Sequence, residues 1–380
     1  MREPAKGNHA FTSWLFLSPI GFLTVFFLFV CSDPVSKIPR AIFLILTILT
    51  LFGALAVATT LLQRSGLKAA LKNSLSNVLL VFGSLMIALL AIEGLFMLVE
   101  RSHSVGYSLA AQSWFRTYWR TNSKGYRERE STEIADLASR RKVVVIGDSF
   151  AAGHGISNPD DRFSNRLEGF LPKNWVVLNF GQNGIDSKTQ LKIVEKLELQ
   201  PEVIVLSYFG NDIMESAIEL GLKPNKIEPY KDLQGLWAKV IPNFYFTDFI
   251  YWLWPREDLA NWWSYYDRAY SDPQIVANHK RDMEGLIRAA KDRGSHLLVV
   301  IFPYLHDLER SEIYYPMVAS FFSERNIPWV DVRSLVKDLP LEKRVVNLND
   351  VHANEVVHQR VGEAIYRKMA QIVPELAEPR

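Results

Sequence analysis

The sequence predicts an α/β fold with a parallel sheet, placed behind a membrane anchor. Two observations predict it. Short β-branched runs alternate with helix-length amphipathic segments from residue 142 onwards, and apolar segments of about 20 residues stand before that point. Strands that are apolar throughout are buried on both faces, and parallel strands joined by helices provide that burial.

The apolar segments lie within residues 1–100. They cover 11–31, 41–62 and 78–99, and each is close to the length of about 20 residues that an α-helix needs to cross hydrocarbon. The first also resembles a signal peptide, but no small-x-small cleavage site follows it and two more segments do. We therefore predict an anchor of three transmembrane helices. Glu93 interrupts the third, and we expect its side chain to snorkel to the interface.

Basic residues in the short loops predict the orientation of this anchor. Under a three-span arrangement, five fall on one side and two on the other. The larger group predicts the cytoplasmic side, which places the chain after the third span outside the cytoplasm, at the inner membrane and facing the periplasm. The two groups are Arg2, Lys6, Arg64, Lys68 and Lys72, against Lys37 and Arg40.

Composition argues against several other classes of function. The single cysteine, Cys31, lies at a membrane boundary, so the soluble part has no disulfide and no thiolate metal site. The net charge is +2, and no dense Lys/Arg stripe interleaved with aromatic residues points to nucleic acid. The spacing of His, Cys and Asp residues resembles no metal site, and Gly153 and Gly155 lack the spacing of a dinucleotide fingerprint. We predict no metal and no cofactor.

The soluble part divides into a linker and a domain. Residues 101–140 are polar and rich in arginine, so we expect a linker that packs onto the next domain, which covers 141–375. The predicted strands are 142–147, 175–180, 203–208, 297–302 and 328–332, and the predicted helices include 187–199, 274–293, 311–326 and 354–372.

The residues after these strands carry the chemistry, because ligands of open α/β sheets bind at the carboxyl ends of the strands. The stretches are GDSFAAGHG at 147–155, NFGQNGIDS at 179–187, FGND at 209–212 and, near the end, LNDVHANEVVHQRVGEAI at 348–365. In order and spacing they resemble the four blocks of the SGNH (GDSL) hydrolase superfamily, over roughly residues 140–370. The resemblance implies a three-layer, flavodoxin-like fold with a five-stranded parallel sheet.

The same resemblance implies the roles of particular residues. Ser149 would be the nucleophile and His352 its general base, since a serine hydroxyl is a poor nucleophile until an imidazole takes its proton. The backbone N–H groups of Ser149 and Gly184 and the side-chain amide of Asn211 would form the oxyanion hole. Considered alone, Ser149 has the alternative role of a helix N-cap. His154 lies close to the serine, where it could line the pocket, and we take it as a loop residue.

The fourth block departs from the usual pattern. Aspartate normally stands three residues before the histidine, but that position is Asn349 here, and Asp350 stands two before His352. We assign Asp350 as the residue that orients the imidazole. The alternative is that Asn349 or a backbone carbonyl holds it, which would stabilise the imidazolium less.

The segment 237–270 lies between the third and fourth predicted strands and is an aromatic insertion. It contains five of the ten tryptophans. Such rings suit stacking on sugars, lying in a membrane interface or capping the site, and an aromatic core beneath the insertion is a further alternative.

Together these features predict a membrane-anchored serine esterase or O-acyltransferase that acts through an acyl-serine. The expected substrates are acyl esters, notably acetyl esters, of cell-envelope polysaccharide or lipid-linked glycan, and a membrane protein that supplies the acyl donor is an expected partner of a transferase. The alternative is a non-catalytic binding or scaffold module of the same fold. The displaced aspartate favours that alternative, and the intact Ser149, Gly184, Asn211 and His352 argue against it.

Overall fold

The computed structural model describes residues 9–224, 226–254 and 257–376, with side chains from residue 19 except those of 257–260 and 262. The chain forms two compact units. The first comprises Met1–Glu100, Ser108–Ser113 and Tyr230–Pro255, and the second comprises Arg101–Tyr107, Trp114–Pro229 and Arg256–Arg380.

After residue 140, one or more helices separate consecutive strands of the sheet. The helices are α1 His9–Cys31, α2 Lys37–Arg64, α3 Ala69–Met97, α4 Leu109–Tyr118, α5 Ser149–Ala152, α6 Phe163–Phe170, α7 Ser187–Glu195, α8 Met214–Glu219, α9 Trp237–Val240, α10 Tyr245–Leu253, α11 Glu257–Ser271, α12 Pro273–Asp292, α13 Tyr315–Ser323, α14 Val332–Val336 and α15 Glu355–Ile372. The strands are β1 Arg141–Gly147, β2 Trp175–Asn179, β3 Val203–Tyr208, β4 His296–Ile301, β5 Trp329–Asp331, β6 Val345–Asn347 and β7 Asp350–Ala353.

The first unit contains two helices, among the described residues, that are long and apolar enough to cross a membrane. They are α2 and α3, so the described residues contain two candidate spans where three were predicted. The predicted span 11–31 falls in α1, whose side chains are described only from residue 19 onwards, and the described apolar part of that helix is Pro19–Cys31. Large apolar side chains cover the outer surfaces of α2 and α3, as in helices that face lipid, among them Ile45, Leu49, Phe52, Val81 and Leu85.

Glu93 of α3 does not snorkel, contrary to the expectation from sequence. Its side chain is buried and lies 3.5 Å from the guanidinium of Arg40 on α2. The expectation was wrong because a sequence pattern does not show which groups a neighbouring helix offers to a carboxylate.

The second unit is built on a five-stranded sheet, and the predicted α/β class is confirmed. All neighbouring strands are parallel, in the order β2-β1-β3-β4-β5. The residues of β2 and β3 are buried without exception. Such burial requires cover on both faces, and helices α6, α7, α12 and α15 pack against the sheet.

The strand order determines where a site can form. The chain moves from β1 to β2 on one side and then returns to place β3 on the other side of β1. The carboxyl ends of β1 and β3 therefore border the point at which the strand order reverses, where ligands bind in open α/β sheets. The segments after these strands contain Ser149 and Asn211.

Two local features differ from the sequence prediction. The predicted helix 311–326 is a 3-10 turn, Arg310–Ile313, followed by α13, because Tyr314 leaves helical geometry at φ −127° and donates its hydroxyl to the Phe302 carbonyl at 2.5 Å. Antiparallel strands β6 and β7 were not predicted. They pair Val345 with Ala353 and Asn347 with Asp350.

The aromatic insertion 237–270 is divided between the units. Helices α9 and α10 belong to the first unit, and α11 belongs to the second, where Tyr265 and Tyr266 are part of the hydrophobic core. Residues 255 and 256, and the side chains of 257–260 and 262, lie outside the described residues. An aromatic core thus accounts for α11 and for Tyr245 of α10, but not for the exposed Trp237 of α9 and Trp254 just after α10.

Candidate active site

Ser149 stands at the junction between β1 and α5. The N-cap of α5 is Asp148, whose carboxylate accepts the Phe150 N–H at 2.9 Å. Ser149 is thus the first residue of the helix, and the cap function that sequence alone allowed it belongs to its neighbour. Its side chain is 8% exposed, so the hydroxyl is held in a pocket rather than left to solvent.

The hydroxyl of Ser149 contacts an imidazole, and the imidazole contacts a carboxylate. Both groups belong to β7. His352 Nε2 lies 2.8 Å from Ser149 Oγ, and His352 Nδ1 lies 2.6 Å from Asp350 Oδ1. A carboxylate accepts at Nδ1, so Nδ1 carries the ring proton and Nε2 is free to accept from the serine hydroxyl. The three side chains form one continuous chain of hydrogen bonds.

Asn349, the alternative partner of the imidazole, lies in the turn between β6 and β7. Its backbone N–H donates to Asn347 Oδ1 at 2.9 Å, and its carbonyl accepts the Ser104 N–H at 3.0 Å. The tight turn orients residues 350 and 352 toward the same side of β7, because side chains two apart on a strand share a face. The structure therefore brings Asp350 to the ring.

The charge on Asp350 is stabilised despite complete burial. Burial by itself raises the pKa of a carboxyl group, but the attraction of His352 and its hydrogen bond outweigh burial and hold the pKa of Asp350 well below its usual range. The carboxylate is consequently ionised over the whole working range of pH. An ionised carboxylate at Nδ1 stabilises the imidazolium that forms when His352 accepts a proton.

Asn211 and Gly184 lie on the loops after β3 and β2. The Asn211 side chain hydrogen-bonds the Asp148 carboxylate, which joins it to the N-cap of α5. Burial raises the pKa of Asp148 to about 6 against the effect of its hydrogen bonds. Gly184 is exposed, has φ +74°, and has open space where a Cβ would stand. Its left-handed backbone, rather than a close neighbour, is what favours glycine there.

His154 belongs to the site, although we expected a loop residue at this position. Its ring stacks on that of His352, with centroids 4.1 Å apart and planes 13° from parallel. His154 Nε2 lies 3.1 Å from the His103 carbonyl and 3.7 Å from Asp350 Oδ2. Its Nδ1 lies 3.3 Å from the side-chain nitrogen of Asn183, the residue before Gly184.

Arg127 braces the loop that carries His154. Its guanidinium is buried and donates to the carbonyls of Gly153 and Ile156, each at 2.6 Å, while it lies 4.8 Å from the Trp119 ring. Burial lowers the pKa of Arg127 to about 9. The arginine-rich stretch predicted as a linker thus contributes an internal support of the site. The signal available in sequence was the YRERE pattern, but its partners are carbonyl groups that no pattern identifies.

Three of these groups could also be considered as metal ligands. Ligand atoms of His154, Asp350 and His352 lie within 4.8 Å of one another. Both ring nitrogens of His352 are already engaged, one by Asp350 and one by Ser149. The geometry therefore fits proton transfer along a hydrogen-bond chain.

Comparison with known proteins gives similarities of structure. No family model matches the sequence, and no curated protein matches it. A putative lipolytic protein of the G-D-S-L family from Desulfitobacterium hafniense is 14% identical, with 60% of this chain and 99% of that chain covered and a TM-score of 0.39. The structure of TesA is 13% identical, covering 61% and 100%, with a TM-score of 0.40. A carbohydrate acetylesterase from Sinorhizobium meliloti is 12% identical, covering 61% and 100%, with a TM-score of 0.37.

Proposed function

We propose that this protein is a membrane-anchored serine ester hydrolase or O-acyltransferase of the SGNH superfamily. The observation that carries the proposal is the hydrogen-bond chain from Ser149 Oγ through His352 to Asp350, with distances of 2.8 and 2.6 Å. A serine, an imidazole and a buried carboxylate in this relation generate an activated nucleophile.

The reaction follows from the positions of these atoms. Ser149 Oγ attacks the carbonyl carbon of an ester while its proton passes to His352 Nε2. The negative charge that develops on the carbonyl oxygen would be stabilised by the N–H groups of Ser149 and Gly184 and by the Asn211 amide, each typically worth about 3 kcal/mol of barrier. His352 then gives its proton to the departing alcohol, and an acyl-serine remains.

Water or a second hydroxyl completes the cycle. His352 takes a proton from the incoming nucleophile, which attacks the acyl-serine and releases Ser149. Water as acceptor makes the protein an esterase, and a sugar hydroxyl makes it an O-acyltransferase. We propose acetyl or other acyl esters of cell-envelope glycans as substrates, because two described helices fit a membrane anchor. The loop between α2 and α3 contains Arg64, Lys68 and Lys72, and with that loop on the cytoplasmic side the domain that follows α3 faces the periplasm.

The test of the nucleophile is labelling by a fluorophosphonate, which reacts with activated serines. The full chain in detergent should be modified at Ser149, located by mass spectrometry, and Ser149→Ala should abolish the modification. His352→Ala should slow labelling by about 1,000-fold or more, since the hydroxyl then has no base. A folded wild-type protein that is not labelled would instead favour the binding-module alternative.

The test of the orienting residue compares two neighbouring substitutions. Asp350→Ala should slow labelling by about 100-fold or more, because Nδ1 loses its acceptor and the imidazolium its counter-charge. Asn349→Ala is the matched control and should change the rate by less than about threefold, because Asn349 uses backbone groups in its turn. The reverse order of effects would assign the orienting role to Asn349.

Product analysis separates the esterase from the transferase. The chain should release acetate from an acetylated glycan, and addition of a free acceptor glycan should show whether the acetyl group passes to it in preference to water. An alkaline phosphatase fused at the C-terminus tests the orientation. It should be active in the periplasm, and an inactive fusion would contradict the exported arrangement.

A further inference from the structure

The two membrane-length helices each bury one charged residue at the same end of their antiparallel pair. Arg40 is the fourth residue of α2, and Glu93 stands four residues before the end of α3. Both side chains are almost completely buried, and they form an ion pair at 3.5 Å. Placing a charged residue within an apolar span costs free energy, and such residues are found where they pair or perform a function. We therefore expect a structural or functional role for the pair of Arg40 and Glu93.

The pair binds the backbone of the segment that enters α10. The Glu93 carboxylate accepts the N–H groups of Tyr245 and Phe246 at 2.9 and 3.0 Å, which are the first two residues of that helix. Arg40 donates to the Asn243 carbonyl. Glu93 thereby satisfies N–H groups that a helix start leaves without a partner, and its negative charge lies at the favourable end of the helix dipole.

Aromatic contacts fix α10 across the end of α3. The ring of Phe96 lies 5.3 Å from Phe246 and 5.0 Å from Phe249, and Arg40 lies 5.6 Å from the ring of Phe244. The inward face of α10 includes a carboxylate. Asp248 is buried there and accepts the Leu109 N–H at 2.8 Å.

The outward surface of the same segment is apolar. Leu236, Trp237, Leu253 and Trp254 are each more than half exposed. Residues 233–254 include only two Asp, Glu, Lys or Arg residues, Lys239 and the buried Asp248. A helix that faces water normally shows a charged outer face, and exposed tryptophan and leucine beside membrane-length helices are typical of the interface between lipid and water.

We propose that residues 233–254, the interfacial segment, lie in the headgroup region of the bilayer and are locked to the anchor by the buried Arg40–Glu93 pair. The occupant of the exposed apolar surface is lipid, because the surface is continuous with an anchor whose outer side chains are themselves apolar. This inference rests on the membrane anchor of the proposed function and is independent of the serine chemistry.

The single cysteine of the chain makes a site-specific test simple. Cys31→Ser gives a cysteine-free background, into which Trp237→Cys, Leu253→Cys or Trp254→Cys is introduced and labelled with the environment-sensitive dye NBD. Leu49→Cys on the outer surface of α2 serves as the lipid control, and Lys291→Cys, exposed on α12, serves as the water control. The full chain is reconstituted in vesicles of phosphatidylcholine and phosphatidylglycerol.

Two quenchers then locate each dye. Lipid carrying a nitroxide near the headgroup should lower emission at positions 237, 253 and 254 by more than half, while aqueous iodide should lower it by less than a fifth. Lipid carrying the nitroxide deep in the acyl chain should lower emission at position 49, which lies about 13 Å along α2 from Arg40. Position 291 should show the opposite pattern. Dyes at 237 and 254 that are quenched by iodide and not by nitroxide, with position 49 quenched by nitroxide, would overturn the interfacial segment and leave the anchor intact. Protection from both quenchers would mean that protein covers the surface, which also overturns the proposal.

Failure of the anchor gives a different result. If position 49 is itself quenched by iodide, α2 is not in lipid, and the membrane part of the proposed function fails together with this inference. Labelling of Ser149 by fluorophosphonate in the same samples reports the serine chemistry separately.

Discussion

His154 remains neutral at physiological pH, and its neutrality determines what each ring nitrogen does. Burial, together with the neighbouring His352, lowers the pKa of His154 to about 3. Nε2–H donates to the His103 carbonyl, so Nδ1 accepts from Asn183. One neutral ring therefore connects the base, on which it stacks, with the residue that precedes Gly184.

His154→Phe tests whether this ring positions the base. Phenylalanine keeps a flat face against His352 but loses both hydrogen bonds, so we expect labelling of Ser149 to slow by about tenfold, the equivalent of about one hydrogen bond. The melting temperature should stay close to that of the wild type, because the lost hydrogen bonds act on the position of the His352 ring. A purely structural role would lower the melting temperature and leave the labelling rate of the folded protein unchanged. Phe115→Leu, on the other side of His154, is the matched packing control.

At the scale of elements, two short segments position the groups described above: the β6–β7 hairpin and the start of α10. The β6–β7 hairpin contributes both His352 and the carboxylate that it contacts, Asp350, from positions two apart on β7. Helix α10 depends on Glu93 for its start, since the N-cap position is held by Phe244, which offers no side-chain acceptor. A carboxylate distant in sequence replaces the local cap.

Glu93→Leu should release the start of α10. We expect hydrogen exchange of a peptide spanning 244–249 to become at least tenfold faster, because the N–H groups of Tyr245 and Phe246 lose their acceptor. Glu93→Gln keeps one oxygen acceptor and should give an intermediate rate. Thr47→Val is the control, since Thr47 is equally buried but bonds only within α2. Equal exchange in Glu93→Leu and Thr47→Val would contradict the capping role.

At the scale of the whole molecule, buried histidines make stability depend on pH. Burial lowers the pKa of His103 to about 4, and of His154, His279 and His358 to about 3. As the pH falls below the unfolded value of about 6.5, the unfolded chain binds protons that the folded chain refuses, so stability is lost progressively. Burial also lowers the pKa of His306, which acts in the same direction. Four carboxyl groups act in the opposite direction. Burial raises the pKa of Asp148 and of Asp248 to about 6, that of Asp212 well above its usual value, and that of Asp282 in the same direction, so the folded chain binds their protons first.

The balance of five histidines against four carboxyls leaves a net uptake of about one proton on unfolding near pH 5. We expect the free energy of unfolding to fall by about 1.4 kcal/mol per pH unit there. Melting followed by tryptophan fluorescence in detergent, between pH 7.5 and 4.5, measures this. His279→Gln should flatten the dependence by about one proton, because His279 is buried beside Tyr208 and titrates only in the unfolded chain. A melting temperature that does not change between pH 7 and 5 would contradict this account.

The sequence by itself determined the α/β class, the five strands and the stretches that contain Ser149 and His352. Local signals suffice for these, because buried parallel strands are apolar throughout and polar residues at their carboxyl ends stand out. The strand order and the choice between Asp350 and Asn349 required the tertiary structure. Asn349 and Asp350 are adjacent in sequence, but the turn places the carboxylate of Asp350 beside His352 and uses the backbone N–H of Asn349 to bond Asn347.

Only the tertiary structure brought His154 and Arg127 to the site and joined Glu93 to α10. His154 meets a ring from residue 352, Arg127 meets backbone carbonyls, and Glu93 meets backbone N–H groups some 150 residues later in the chain. Backbone groups are the same at every position, so a side chain that binds them leaves no complementary residue in the sequence. That is why the stretches that contain Ser149 and His352 could be predicted from sequence, while the contacts of His154, Arg127 and Glu93 could not.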